Sequence, residues 1–520
     1  MENPFENYKS KGESFDEMID DQGVHDGNWQ LLTKAVEAMG IDELKRRTLE
    51  CEESFKARGI TFSLGGQERT FPLDPIPRIV TSTEWETVEA GLIQRVRAVE
   101  MFLDDIYSQG EVLKDKIVPR RLVVGSSQFA RRAFGINNFG QVRITVAGLD
   151  LIRDEKGALT VLEDNLRTPS GISYVLENRR AMARILPELF ESYEIEPVVD
   201  YPSKLLSALL AQAPHHVANP MVVLLTPGVY NSAYFEHSFL ARQMGIPLVE
   251  GRDLFCRANN VYVRTTEGDL KVDVIYRRID DDYLDPVQYK GDSVLGVPGL
   301  INAARANNVV IANAVGNGVA DDKLLYTYVP ELIEYYLDQK PILPNVETYR
   351  LEDRDMREYV LKNIDRLVLK PVDASGGKGI VIGPTASDEE LAHVAKELVA
   401  NPRGWIAQRV VKFSTIPTVV GSKLAPRHVD LRPFIVSSPG ERWVLPGGLT
   451  RVALPEGSMV VNSSQGGGSK DTWVLSSRHS AKKISIRQTP QLRVEDTQST
   501  LDFAEILESF SSEQFTGSDE

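Results

Sequence analysis

The sequence predicts a mixed α/β (α+β) fold from three patterns. Apolar residues recur at helical spacing near the N-terminus, β-rich runs alternate with helical stretches through the middle, and polar turns join short strands. With 520 residues, 42% of them hydrophobic and 26% charged, the composition is that of a globular protein with room for roughly two to four lobes.

Residues 1–110 read as a polar arm followed by a helical lobe. Leu32, Val36 and Met39 set a helical stripe between Trp29 and Arg58, and a second helix is expected over Trp85–Tyr107. Residues 111–200 carry a hairpin over Val142–Asn165, with two β-rich runs flanking the turn Asp154, Glu155, Lys156, Gly157. If Arg153 pairs with Ala158, Asp150 opposes Val161. Asp150, Glu163 and Asn165 then share one face of the pleat, either as converging oxygen ligands or as ordinary solvent-facing strand residues.

Residues 201–330 alternate strand and helix (Val222–Thr226, Ala233–Met244, Val272–Tyr276, Asn308–Ala314), which suggests a partly parallel sheet. In residues 331–475 the strand Leu367–Lys370 passes through a glycine loop into Gly379–Gly383. A helix capped by Ser387 and Glu390 follows, with a stripe of Leu391, Val394, Ala395 and Leu398, and then a strand over Trp405–Val411. Residues 476–520 change character. Ser476–Arg493 carries five Lys/Arg without an acid and Val494–Glu520 eight Asp/Glu without a base, so a flexible solvated tail is expected, with Phe503, Ile506, Leu507 and Phe510 forming either a docking helix or a nascent one.

The net charge of −15 lacks the basic excess needed to grip nucleic acid. Cys51 and Cys256 stand in no CxxC pattern, which argues against a disulfide framework or Cys-based zinc and fits a reducing cytoplasm. The opening MENPFENYKSKGESFDEMIDD has no apolar signal core, and runs such as Met221–Leu225 are too short to span a bilayer. A cytoplasmic protein without membrane or nucleic-acid partners is expected.

Chemistry is carried by two stretches about 200 residues apart. VLEDNLRTPSG (161–171) supplies hard oxygen ligands of the kind Mg²⁺ prefers, and LKPVDASGGKG (369–379) supplies a lysine before a turn whose backbone N–H groups could cover phosphates. Ser375, Gly376, Gly377, Lys378 and Gly379 form that turn; Lys378 is either a phosphate contact or a solvated loop lysine. Lys323, after Asp321 and Asp322, is either a second phosphate ligand or a helix-terminal surface residue. Asp430 and Arg432 lie two apart on a strand, as an ion pair or as ligand-binding groups, and Arg451 follows. Asn462–Asp471 is either a closing lid or a plain loop. Gly316 and Gly318 mimic a dinucleotide fingerprint, but Asp321 replaces its third glycine. Among seven histidines only His215 and His216 adjoin, with no zinc-ligand spacing.

Taken together, VLEDNLRTPSGISYVLENRR, LTPGVYNSAYFEH, VDVIYRRIDDDYLDP, GVADDKLLYTYVP, LVLKPVDASGGKG, RHVDLRPFIV and VVNSSQGGGSKDTW resemble the bacterial circularly permuted ATP-grasp proteins, relatives of glutathionylspermidine synthetase and eukaryotic-type glutathione synthetase, from roughly Gly59 to Leu475. The resemblance implies a circularly permuted ATP-grasp fold with the ATP site in residues 331–475, a metal hairpin in 111–200 and a substrate lobe in 201–330. It implies ATP and Mg²⁺ as cofactors, with Asp150, Glu163 and Asn165 as metal ligands. Lys323 and Lys370 would hold phosphates, Gln408, Val410 and Val411 would meet adenine, and Arg451 would lie near the transferred phosphate. Arg432, Arg167 and the pair Arg277 and Arg278 are candidates for orienting substrate, or else for structural ion pairs. Arg409 stands where many such hinges carry an acid, and Asp373 matches a loop metal ligand only loosely. The implied activity is ATP-dependent joining of a small-molecule or peptide carboxylate to an amine through an acyl phosphate; a scaffold that binds nucleotide without turnover, or a small-molecule kinase, are the alternatives. Self-association or partner docking through the tail is a further expectation.

Overall fold

The computed structural model describes residues 3–477 apart from short gaps at 11–13, 21–22, 26, 65–66, 137–141, 215–216, 374–378, 459–460 and 462–466. Its framework is a nine-stranded sheet. Seven strands run in the order Glu441–Val444, Phe434–Ser438, Val146–Arg153, Lys423–Arg432, Leu449–Val452, Gly468–Val474 and Leu73–Val80; Leu159–Asn165 pairs beside Val146–Arg153, and Thr415–Val420 beside Lys423–Arg432. Only the last contact of the path, Gly468–Val474 with Leu73–Val80, is parallel.

The two expected N-terminal helices form over Gly27–Ala57, kinked at Gly40, and over Ser82–Ile106, where Thr81 accepts the N–H of Glu84 as an N-cap. Between them Leu73–Val80 is buried at every position and joins the main sheet, so the first segment supplies a core strand as well as helices.

Residues of the middle segment build a separate four-stranded parallel sheet, Val310–Ala312, Val274–Arg277, Val222–Leu225 and Leu248–Val249. Tyr234–Met244 is its crossover helix, ended by Gly245 at positive φ. The glycine decoy is explained here: Gly316, at φ +94°, has no room for a side chain beside the Tyr107 ring, and its N–H donates to Asp281.

A third sheet, in the order Thr348–Arg350, Trp405–Arg409, Leu367–Pro371 and Val381–Ile382, contains the strands expected between 366 and 411. Its helix, Asp388–Ala400, starts where Ser387 accepts the N–H of Glu390, and buries Val394 and Leu398. The unit has its own small core of Leu351, Val360, Leu367, Leu369, Val381, Val394, Leu398 and Ala407. Ser375, Gly376, Gly377 and Lys378 lie outside the described residues, as do His215, His216 and everything beyond Ser477. The lid reading of 462–471 is corrected from Gly468 onward: Ser469, Lys470 and Asp471 are fully buried sheet residues, and Lys470 forms an ion pair with Asp74. Asn462–Gly466 lie outside the described residues. Among the described residues no helix is long and apolar enough to cross a membrane.

Candidate functional site

The hairpin Val146–Arg153/Leu159–Asn165 forms as the alternation predicts, but its register differs. Arg153 faces Leu159, not Ala158, and the ladder shifts between Asp150 and Leu151, so that Leu151 faces Val161 and Asp150 faces Glu163. Leu162 is the extra residue of the resulting bulge. The bulge is invisible to a strict period of two, yet it sets Asp150 directly across from Glu163. Asp150, Glu163 and Asn165 all line one cavity of about 750 Å³. The intervening Asp164 points the other way and holds Arg95 of the long helix through two 2.7 Å contacts, pinning the strand from behind.

Lys323 and Lys370 converge on the same place from distant chain segments. Lys323 begins the short helix Lys323–Tyr326, whose N-cap Asp322 accepts the N–H of Leu324, and its Nζ lies 2.9 Å from Glu163 Oε1. Lys370 sits on the strand Leu367–Pro371, on the same face as Val368 and opposite Ile406. Among the described residues no ion pair engages its ammonium, although it is only 9% exposed. Burial, reinforced by Lys323 and opposed by Glu163, depresses its pKa to about 8. Gly379, the described end of the glycine loop, takes φ +71°, and a Cβ there would press on Pro371 Cγ at 3.0 Å. Asp373 is exposed.

A second charged cluster stands beside this one. Arg451 Nε donates to Asp430, its cross-strand partner, at 3.0 Å, and its NH2 reaches Asp150 at 2.8 Å. Arg432 clasps both oxygens of Asp150, at 2.6 and 2.8 Å. The expected alternative of an Asp430–Arg432 pair is thereby replaced: each partners a residue on a neighbouring strand. Burial opposes ionisation of Asp150, but Arg432 and Arg451 outweigh it and hold the carboxyl well below the usual range. Both of its oxygens are occupied by guanidinium groups.

The cavity's walls differ from end to end. Near Lys370 they are apolar, with Leu162, Val346, Val368, Ile382 and Val411 around Gln408 and Val410. Gln408 Nε2 donates to Thr348, and its buried Oε1 has no partner. Arg409 turns away to Glu155 in the hairpin turn, with both contacts at 3.3 Å. At the far end lie Arg167, Tyr174, Glu236, His237 and Arg278. Arg167 donates to Gln128 and faces Asp280 and Asp321 at 3.4 and 3.5 Å. Arg277 is spent on backbone and on Asp281: its nitrogens donate to the carbonyls of Asn313, Ile279 and Ala314, and its NH2 lies 2.6 Å from the Asp281 carboxylate. Arg278 lines the cavity, donates to Glu236 at 3.1 Å, and keeps a buried Nε without a partner. His237 stays neutral, its pKa pushed by burial and Arg278 down to about 2.

Two residues escaped the sequence. Asp321 accepts the N–H groups of Leu166 and Arg167, just after Asn165, and burial raises its pKa to about 6. Glu236 accepts the N–H groups of Gly171 and Ser173 at the start of the next helix. The acid beside Lys323 was a signal for the first; for the second nothing in its helix distinguishes it.

The arrangement fits a metal-bound nucleotide. Glu163 and Asn165 present hard oxygen donors side by side, and Asn165 Nδ2 is a buried amide nitrogen without a hydrogen bond, free to be re-paired once its oxygen takes a ligand. Asp150 fits less well as a third ligand, because its oxygens already accept three N–H groups.

A family model described as circularly permuted ATP-grasp type 2 matches residues 77–453. The chain belongs to this family. It is 60% identical over 468 residues to an uncharacterized protein of Mycobacterium tuberculosis, covering 90% of this chain and 85% of that one. It is 53% identical over 421 residues to an uncharacterized protein of Synechocystis, covering 80% and 88%. A protein of Frankia casuarinae provisionally named a glutamate–cysteine ligase is 45% identical over 475 residues; those cover 90% of this chain but 54% of that protein. Among solved structures, the apo form of a glutathione synthetase-like effector from Globodera pallida superposes with a TM-score of 0.53 at 12% identity, covering 83% of this chain and 96% of that one, which is a likeness of fold.

Proposed function

We propose that this protein is an ATP- and Mg²⁺-dependent carboxylate–amine ligase. The observation that carries this reading is the meeting of Lys323, Lys370, Glu163 and Asn165 in one cavity with an apolar slot beside it. Family membership supports it, as does the Frankia relative's name.

Lys323 and Lys370 would bind the nucleotide phosphates as point charges, and the slot around Val346, Val368 and Val411 would take the base against Gln408 and Val410. Glu163 and Asn165 would hold Mg²⁺, which supplies charge neutralisation and orientation of the phosphates. Arg451 and Arg432, locked by Asp150 and Asp430, present fixed positive charge where a phosphoryl group leaves the nucleotide, and such pre-set charge costs no reorganisation during reaction. In this arrangement Asp150 acts by holding the arginines.

Arg278 rather than Arg277 would take the substrate carboxylate, because Arg278 lines the cavity, whereas Arg277 is committed to three backbone carbonyls and Asp281. The carboxylate oxygen attacks the γ-phosphorus of ATP, the bond to ADP breaks, and the acyl phosphate is then attacked by an amine, releasing phosphate and a proton. No protein nucleophile is needed. A screen of carboxylates and amines for ADP release coupled to amide formation tests the assignment. A phosphorylated product without amide would place the protein among kinases, and nucleotide binding with no turnover on any pair would make it a scaffold.

A further inference from the structure

The N-terminal arm brings a carboxylate into the back of this site. Residues around Asp16 lie outside the family-matched span of 77–453, yet they are among the most deeply placed charges of the chain: Asp16 is 4% and Glu17 5% exposed. The arm adds to the strand end at Thr415. Glu17 N–H donates to the Thr415 carbonyl at 2.9 Å, and Thr415 N–H donates to that of Phe15 at 2.8 Å. Phe15 itself covers Gly157 in the hairpin turn.

From this position Glu17 touches three separate segments of the site. Its carboxylate is clasped by Arg78, whose remaining nitrogen donates at 3.0 Å to the backbone carbonyl of Asp430, the residue that anchors Arg451. It is ion-paired at 3.4 Å with Arg153, whose NH1 donates at 2.9 Å to the carbonyl of Gly157 in the turn of the hairpin that bears Glu163 and Asn165. It also accepts the hydroxyl of Ser414, which follows the hinge strand and whose N–H donates to the Arg153 carbonyl. A fully buried carboxylate is retained only where its partners compensate it, and removing one partner strands the others.

We infer that Glu17 is a positioning residue: it fixes the hairpin turn, the hinge exit and the Asp430 strand relative to one another, so that the oxygen ligands and the arginines face one phosphate chain. The inference rests on the Mg·ATP reading above. It is a supporting-residue role, exerted through Arg78, Arg153 and Ser414 and never by contact with ligand.

The test is Mg²⁺ titration of the full-length protein saturated with AMP-PNP, with nucleotide binding measured separately in EDTA. Glu17→Gln keeps the shape and loses the charge. It is expected to weaken Mg²⁺ binding about tenfold while nucleotide binding in EDTA stays within about twofold, with Glu17→Asp recovering part of the loss. Arg153→Lys, which keeps the charge opposite Glu17 but gives up the fork that spans to Gly157, is expected to show the same phenotype and decides the matter if the Glu17 variants do not fold. Wild-type Mg²⁺ affinity in a folded Glu17→Gln or Arg153→Lys protein, whatever its melting temperature, overturns the inference. Failure of the wild-type protein to bind Mg·AMP-PNP at all overturns the ligase reading instead.

Discussion

Two clusters of buried charge lie side by side in the cavity and are built on opposite terms. In the arginine–aspartate cluster every charge is answered: Asp150 is shared between Arg432 and Arg451, and Asp430 holds Arg451, through close hydrogen bonds. In the lysine–carboxylate cluster Lys323 meets Glu163, while Lys370 is buried without an ion pair among the described residues and Asn165 keeps an unpartnered amide nitrogen. The first is a finished frame; the second leaves a buried ammonium with no anion against it among the described residues. That difference separates charges fixed before any ligand arrives from a charge that a ligand would complete.

Breaking the frame should have the largest effect. Asp430→Ala leaves Arg451 buried with half of its partners gone and is expected to cost about 3–5 kcal/mol of stability, read as a lowered denaturant midpoint. A loss below about 1 kcal/mol would mean that the cluster is solvated and is no frame.

The open cluster should respond in the opposite sense. Lys370→Met is expected to weaken ATP binding about 100-fold, about 2.7 kcal/mol, while leaving the unliganded protein at least as stable. The sign follows from linkage. Lys370 has a folded pKa of about 8 against the usual 10.5, so the unfolded chain binds the extra proton between those values. The residue therefore burdens stability below about pH 8, and the burden lifts as pH rises towards 10.5. Comparing wild type with Lys370→Met between pH 7 and 10 should show the advantage of the variant shrinking with pH.

Nucleotide itself sharpens the comparison. Phosphates placed against Lys370 restore its charged form, so ATP binding near pH 8.5 should take up a fraction of a proton, seen as a dependence of binding heat on buffer ionisation, and should take up none at this residue near pH 6.5. The smallest effect is expected at the hinge. The Arg409–Glu155 pair is half exposed, with side chains 44% and 28% accessible, so Arg409→Ala should change stability by about 1 kcal/mol or less.

The open cluster was the more legible of the two. Glu163 and Asn165 were readable as residues two apart on a strand, and Lys370 as the lysine ending a strand before a glycine turn, because local spacing carries that information. Their convergence with Lys323 came from family resemblance, since no local pattern encodes contact across such separations. The frame was half legible: Arg432 and Arg451 stood out, but which aspartate each would take depends on strand order in the nine-stranded sheet, which places Val146–Arg153 beside Lys423–Arg432. The hairpin register missed first at the turn, where Ala158 belongs to the loop and its carbonyl accepts the N–H of Asp154, and then at Leu162, where a bulge shifts the ladder. The strand Leu73–Val80 stayed hidden because LDPIPRIV carries two prolines, which argue against a strand; it lies at the end of the seven-strand path, where prolines are tolerated. Glu17 and Asp16 looked like residues of a polar arm and are plugs in the core, which only their distant arginine and threonine partners reveal.

The most direct test is a crystal structure of the protein with Mn²⁺ and AMP-PNP, using the anomalous signal to locate the metal. The account predicts an anomalous peak within coordination distance of Glu163 and Asn165, with the phosphates between Lys323 and Lys370 and the base against Gln408 and Val411. A nucleotide bound elsewhere, or a metal held with neither Glu163 nor Asn165 in contact, would contradict it.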